Sequence, residues 1–233
     1  IQPQLFTLAD LKTVEIVGGT IGQRAPFIQF AVVAGSDHAA VTYQHRRGLV
    51  SAVVPNAAHH ALAGFAAQHP GRLTLVTQNV DGFHLLAGSR DVIEMHGTLR
   101  RLRCVDCGRV RQVESYAGLE IPPACPHCGG ILRPDVVLFG EHLPSQALHR
   151  FETVLAQRPD LVISVGTGSA FPYIAGPVLA AAGRGDPTIE INPGGTHLSE
   201  LVTVRLRMRA AEALPAILDA AGYSLDSGRD ACS

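Results

Sequence analysis

The chain has 233 residues, 46% of them hydrophobic and 17% charged, with a formal net charge of −1. That is the make-up of a globular protein with one sizeable core, or a core plus a small module, and not of a disordered chain. Near-neutrality gives no electrostatic reason to expect nucleic acid or an anionic membrane as the main partner.

No apolar run approaches the ~20 residues of a membrane span. The start, Ile1 to Lys12, lacks the basic stretch and apolar core of a signal peptide, so the expected location is the cytoplasm. In chain order, Pro55 to Gln68 is predicted to be helical, with Pro55 near its start and alanines through its body. Leu73 to Thr77 is a short β-rich run, a second helix is expected around Gly82 to Ala87, and a short strand at Asp91 to Glu94. Arg100 to Arg133 is rich in Cys, Gly and Pro, has little apolar periodicity, and needs a staple to fold. Beyond it, Asp135 to Phe139 reads as a buried strand, Gln146 to Arg158 as a helix, and Leu161 to Val165 as a buried strand. Phe171 to Ala182 is predicted helical, Thr188 to Ile191 a strand, and Ala210 to Ala221 a closing helix.

Short apolar strands alternating with helices predict a parallel sheet covered on both faces. Such sheets bind ligands at the carboxyl ends of their strands. Three of the strands end in polar or glycine-rich turns: Thr77 to Asp81, Gly166 to Ser169 and Asn192 to Gly195. Any one of these is an ordinary turn. Three together point to a nucleotide site.

Cys104-x-x-Cys107 and Cys125-x-x-Cys128 are separated by 17 residues, and each knuckle is followed by a glycine, Gly108 or Gly129. Two such knuckles supply four thiolates for tetrahedral Zn(2+), a filled and therefore structural site. Two disulfides or four buried thiols are the competing explanations. His127 lies inside the second knuckle as a bystander, and Cys232 has no partner.

Further motifs stand around the cysteine pairs: Val76-Thr-Gln-Asn-Val-Asp81, Ala87-Gly88 and Glu94-Met-His-Gly97 before them. After them come Arg133-Pro-Asp-Val-Val-Leu-Phe-Gly-Glu141, Val165-Gly-Thr167 and Ile189-Glu-Ile-Asn192. Together with the cysteine pairs, these resemble the sirtuin family. Order and spacing agree from about Val41 to Ile217. The resemblance implies an α/β fold: a Rossmann-like parallel sheet with helices on both faces and an inserted small zinc-binding domain. The expected division is an atypical segment at 1–40, a Rossmann-like domain at 41–99 and 134–221, a zinc module at 100–133, and a tail at 222–233.

The implied function is NAD-dependent removal of acyl groups from protein lysines, giving nicotinamide and O-acyl-ADP-ribose. In family terms the acyl oxygen attacks the ribose carbon as nicotinamide leaves, and His96 takes a proton from a ribose hydroxyl. An imidazole titrating near neutrality suits that role. By resemblance Gln78, Asn79, Val80 and Asp81 line the ribose and nicotinamide end. Gly166, Thr167 and Gly168 let the chain pass close to the cofactor, with Ser169 as a further hydroxyl, and Asn192 meets the adenosine ribose. The family usually has serine where Gly168 stands, so one contact is displaced or lost. Val137, Phe139, Gly140 and Glu141 resemble the loop on which an acylated protein substrate lies as an added strand. Tyr43 and Arg46 resemble the Tyr-x-x-Arg of sirtuins that remove succinyl or malonyl groups, where a guanidinium pairs with the distal carboxylate. An ordinary basic helix surface explains these two residues equally well.

The first forty residues depart from the family. Neither Val14-Glu-Ile-Val-Gly-Gly-Thr20 nor Ala31-Val-Val-Ala-Gly-Ser36 has the Gly-Ala-Gly-x-Ser opening, and no matching Phe-Arg pair follows. The first of these still suits a strand and turn, which preserves the sheet without the phosphate chemistry. A sirtuin-like protein with impaired NAD binding is the first alternative. A zinc-ribbon nucleic-acid module is the second; it is disfavoured by the neutral charge and by the absence of tryptophan.

Overall fold

A computed structural model describes residues 54–223, apart from 115, 117, 121 and 139, and the backbone of Val14–Gly18. Nine strands and five helices are described. Six strands form one sheet: β1 (Val14–Gly18), β2 (Leu73–Thr77), β3 (Val92–Glu94), β7 (Leu161–Val165), β8 (Thr188–Ile191) and β9 (Val204–Leu206). Their order is β3-β2-β1-β7-β8-β9, and every neighbouring pair is parallel. Winding runs outward in both directions from β1, so the strand order reverses between β1 and β7. In open α/β sheets the carboxyl ends at this reversal form the ligand crevice.

The pleat divides the apolar residues between two cores. Leu161, Ile163 and Val165 of β7 join Leu73 and Leu75 of β2 beneath α1 (Ala57–Gln68) and α5 (Ala210–Ala220). Val162 of β7 and Val76 of β2 face the other way, onto α3 (Ser145–Ala156) and α4 (Pro172–Arg184). All five β7 residues are buried, as a strand covered on both faces requires. Burying each such Leu, Ile or Val side chain stabilises the fold by about 2 kcal/mol, an upper figure because the unfolded chain is already partly compact.

Local chemistry sets the helix ends. Asn56 caps α1, its Oδ1 accepting from the Ala58 amide at 3.0 Å, while His59 Nδ1 accepts from the Asn56 amide at 3.2 Å. That is a capping box with histidine in the usual glutamate place. Pro172 begins α4, where its missing N–H costs nothing, and Gly185 ends it at φ 79. α3 stops at Ala156, short of the expected Arg158, because Arg158 precedes a proline and turns to φ 53. A short helix, α2 (Phe83–Leu86), follows β2.

The second sheet has three strands in the order β5-β4-β6, both pairs antiparallel: β4 (Gly97–Cys104), β5 (Val110–Gln112) and β6 (Leu132–Val136). Here the sequence-based expectation needs correction. Asp135 to Phe139 is not a buried strand. The strand is Leu132–Val136, half-buried beyond Leu132, and Val137 and Leu138 lie past its end. Gly97 pairs with Val136, which fixes the register and ends the ladder there. Among the described residues the small core contains Leu102, Cys104, Val113, Cys125 and Leu132, flanked by Tyr116 and Leu119. Among the described residues no helix is long and apolar enough to cross a membrane.

Candidate active site and metal centre

The three polar turns singled out in the sequence follow β2, β7 and β8, all at the carboxyl edge of the parallel sheet. His96 stands in the two-residue link between β3 and β4. Its carbonyl accepts from the Val137 amide at 2.9 Å, tying it to the segment after β6. Gly97 beside it has φ 72, and any Cβ there would overlap the Asp135 carbonyl oxygen. Only glycine allows β4 to leave His96 so close to β6.

A chain of hydrogen bonds joins three of these positions. Thr167 Oγ1 donates to Gln78 Oε1 at 3.4 Å, and Gln78 Nε2 donates to the Tyr173 hydroxyl at 3.1 Å. The Tyr173 hydroxyl lies 2.5 Å from His96 Nε2. Phe171 stacks on Tyr173, ring centres 5.7 Å apart, and presents an edge to His96 at 6.3 Å. Burial lowers the His96 pKa, opposed by a hydrogen bond to the Gln78 main chain. The imidazole is therefore held neutral, able to accept a proton.

Asn192 Nδ2 donates to the Thr167 carbonyl at 2.9 Å, and its Oδ1 accepts from the Gly194 amide at 3.0 Å, so the turn after β8 is locked to the turn after β7. Ser169 is 1% exposed with φ 53, and its Oγ has no partner among the described residues. A buried hydroxyl without a partner at this edge is the feature a bound sugar or amide would satisfy. It stands one residue after Gly168, where the family usually has its serine.

Asp81 turns away from this chain: its Oδ1 accepts from the Phe83 amide at 2.9 Å, and burial raises its pKa. The Asn79 amide donates to Thr77 Oγ1, and the Val80 carbonyl accepts from Leu99 at 2.7 Å. Past β6, Gly140 adopts φ 86, and Glu141 pairs with Arg133 at 2.9 Å while accepting from the Leu138 amide at 3.0 Å. Tyr43, Arg46 and Phe139 lie outside the described residues. Sequence reasoning missed Tyr173, hidden in a Phe-Pro-Tyr run that reads only as a helix start.

At the far end of the small sheet, the Sγ atoms of Cys104, Cys107, Cys125 and Cys128 all lie within 4.8 Å of one another, and none is in a disulfide. Cys104 and Cys128 are 3.5 Å apart, Cys107 and Cys125 3.8 Å. Four thiolates at Zn–S distances in a tetrahedron stand ~3.8 Å apart, so the set fits zinc. Each knuckle closes through its glycine: the Gly108 amide bonds the Cys104 carbonyl and the Gly129 amide the Cys125 carbonyl, both glycines at positive φ. The His127 and Cys128 amides pull the Cys125 thiol down to about 6. The Gly130 amide also pulls on Cys128, yet Cys104 and Cys107 push it up to about 12. Thiols this crowded ionise together only around a cation. His127 takes no part in the cluster.

The Sir2 family model matches residues 33–171, more than half of the chain. The chain belongs to the Sir2 family. Over 167 residues this family member is 43% identical to NAD-dependent protein deacylase 2 of Pseudomonas aeruginosa, covering 70% of this chain and 65% of that protein. It is 39% identical over 178 residues to the NAD-dependent protein deacylase of Aquifex aeolicus, 76% of this chain and 73% of that one. The chain thus spans just under two thirds of the first relative's length. A solved Sir2 homolog–NAD complex has the same fold, with TM-score 0.79 and 33% identity over 94% of this chain and 93% of that one. A second solved structure, a Sir2 homologue–ADP ribose complex, has TM-score 0.80 at 32% identity, covering 94% and 96%.

Proposed function

We propose that the chain is an NAD-dependent protein-lysine deacylase acting in the cytoplasm, with proteins carrying acylated lysines as substrates. The observation that carries this reading is the bonded set Thr167–Gln78–Tyr173–His96 at the reversal point of the sheet, next to a Ser169 hydroxyl with no partner among the described residues. The donor set fits a sugar and a carboxamide: amides at Gln78 and Asn79, hydroxyls at Thr167 and Ser169, and the Asn192 amide. Gln78, Asn79, Val80 and Asp81 would hold the nicotinamide and ribose end, with Gly166, Thr167, Gly168 and Asn192 toward the adenosine. NAD bound there supplies a reactive ribose carbon and nicotinamide as leaving group.

The chain's own residues do the rest. His96, neutral through burial, accepts a proton at Nε2 from a hydroxyl brought to it. Val137, Gly140 and Glu141 would offer a main-chain edge for an extended acyl-lysine peptide, and the Arg133–Glu141 pair anchors the base of that loop. Tyr43 and Arg46 would read the distal carboxylate of a succinyl or malonyl group. Cys104, Cys107, Cys125 and Cys128 hold a structural zinc that keeps the small sheet folded. The test is His96→Ala in an assay of nicotinamide release. Turnover is expected to drop ~10²–10⁴-fold while circular dichroism and zinc content stay unchanged. Near-normal turnover would show that another group is the base.

A further inference from the structure

We propose that Tyr173 is a positioning residue that fixes His96 as the Nδ1–H tautomer, its phenol donating to Nε2 until a substrate hydroxyl takes that place. The assignment follows from donor counting around three bonds. Thr167 Oγ1 donates to Gln78 Oε1 at 3.4 Å, with the amide nitrogen turned to Tyr173. Gln78 Nε2 then donates to the Tyr173 oxygen at 3.1 Å. With one lone pair engaged, the phenol proton has its nearest acceptor in His96 Nε2, 2.5 Å away. With Nε2 accepting, a neutral ring carries its proton on Nδ1. The opposite tautomer would leave the phenol proton without this acceptor.

The geometry around Tyr173 holds it to this task. It lies in the first turn of α4, directly after Pro172, whose ring fixes the entry angle. Phe171 stacks on it with the planes 25° apart and meets His96 edge-on, so the phenol has little room to swing. Burial raises the Tyr173 pKa against the pull of Gln78, so the hydroxyl keeps its proton near neutrality. Other titratable groups on the neighbouring elements are Asp81 after β2 and Glu94 on β3. Asp81 bonds the Phe83 amide and Glu94 pairs with Arg101, leaving Tyr173 as the titratable side chain bonded to the imidazole among the described residues. A phenol on the proton-accepting nitrogen occupies the place of an incoming hydroxyl: it keeps the ring in register and excludes water while the site is empty.

The functional consequence rests on His96 being the base; the coupling itself does not. The experiment is nitrogen NMR of the ligand-free full chain labelled at histidine, with the His96 signals assigned by their loss in His96→Gln. In the parent chain the neutral ring is expected to carry its proton on Nδ1 alone. In Tyr173→Phe the ring is expected to show both tautomers, and its titration to move to higher pH, because a donor to the neutral form is gone. Replacing Tyr173 with 3-fluorotyrosine, a stronger donor of nearly the same shape, should move the titration the opposite way. A tautomer and titration indifferent to both changes would overturn the proposal. Deacylation pH profiles of the same variants separate the two ideas. If the ring titration moves and the acidic limb of kcat/KM does not, Tyr173 still positions His96 but His96 is not the base.

Discussion

Replacing Gly97 with alanine tests whether this glycine is what lets the base and the small sheet meet. The residue has φ 72, and a methyl group there would overlap the Asp135 carbonyl oxygen and approach Asp135 C at 3.0 Å and Val136 Cα at 3.2 Å. All three obstacles are backbone, held by the Gly97–Val136 pairing and by the Val137 amide on the His96 carbonyl, so none yields cheaply. A left-handed conformation costs a non-glycine residue roughly 1–2 kcal/mol. Forcing a methyl into close-packed surroundings typically adds ~1–3 kcal/mol, so a total near 3 kcal/mol is expected. Gly185→Ala isolates the first contribution, since Gly185 has φ 79 and nothing within 4 Å of the added carbon. Urea unfolding at neutral pH with zinc present should place Gly97→Ala about 2 kcal/mol below Gly185→Ala. Equal losses in the two variants would refute the close-approach argument.

Cys104→Ser should release the metal and unfold the small sheet, whose core of five buried residues is too small to stand alone. Metal analysis of the parent chain should find about one zinc per chain, and none would end the assignment. Stability should also depend on His59 and His84, whose rings lie 4.8 Å apart. Burial holds both neutral, with pKa values of about 4 against 6.5 in the unfolded chain. Both pKa values are lowered by folding, so this contribution is complete above about pH 6.5 and is lost as pH falls toward 4. The urea midpoint should drop across that window, and more gently in His84→Gln; an identical slope in the two chains would contradict the assignment.

The strands that build the crevice were legible because they are buried on both sides. Leu73–Thr77, Leu161–Val165 and Thr188–Ile191 are short runs made almost wholly of apolar or β-branched residues, broken only by Ser164 and Glu190, and they lie where the sequence placed them. β4 was not legible. Its arginines at 100, 101 and 103 alternate with buried Leu99, Leu102 and Cys104, a half-exposed pattern masked by the surrounding glycines and prolines. β9 is three residues long and largely uncovered at the sheet edge, too short to leave a periodic signal. The Val-Val-Leu run after Asp135 misled because its hydrophobicity resembles that of a core strand, whereas the ladder ends with Gly97–Val136. Of the candidate residues, Gln78, Thr167 and His96 stood out in the sequence through the family resemblance and meet in one bonded set, which Tyr173 joins only through the folding of α4 over the crevice. In sequence, Gly18-Gly19-Thr20 lacks the Gly-x-Gly spacing that turns amides toward a diphosphate, and nucleotide affinity is expected to suffer for it.

The most direct test of the account is mass spectrometry of acetyl- and succinyl-lysine peptides incubated with the purified chain, with and without NAD. The account predicts loss of the acyl group only when NAD is present, nicotinamide appearing in step with it, and saturation only at NAD concentrations well above the micromolar range. Deacylation without NAD, or none at any NAD concentration, would contradict it.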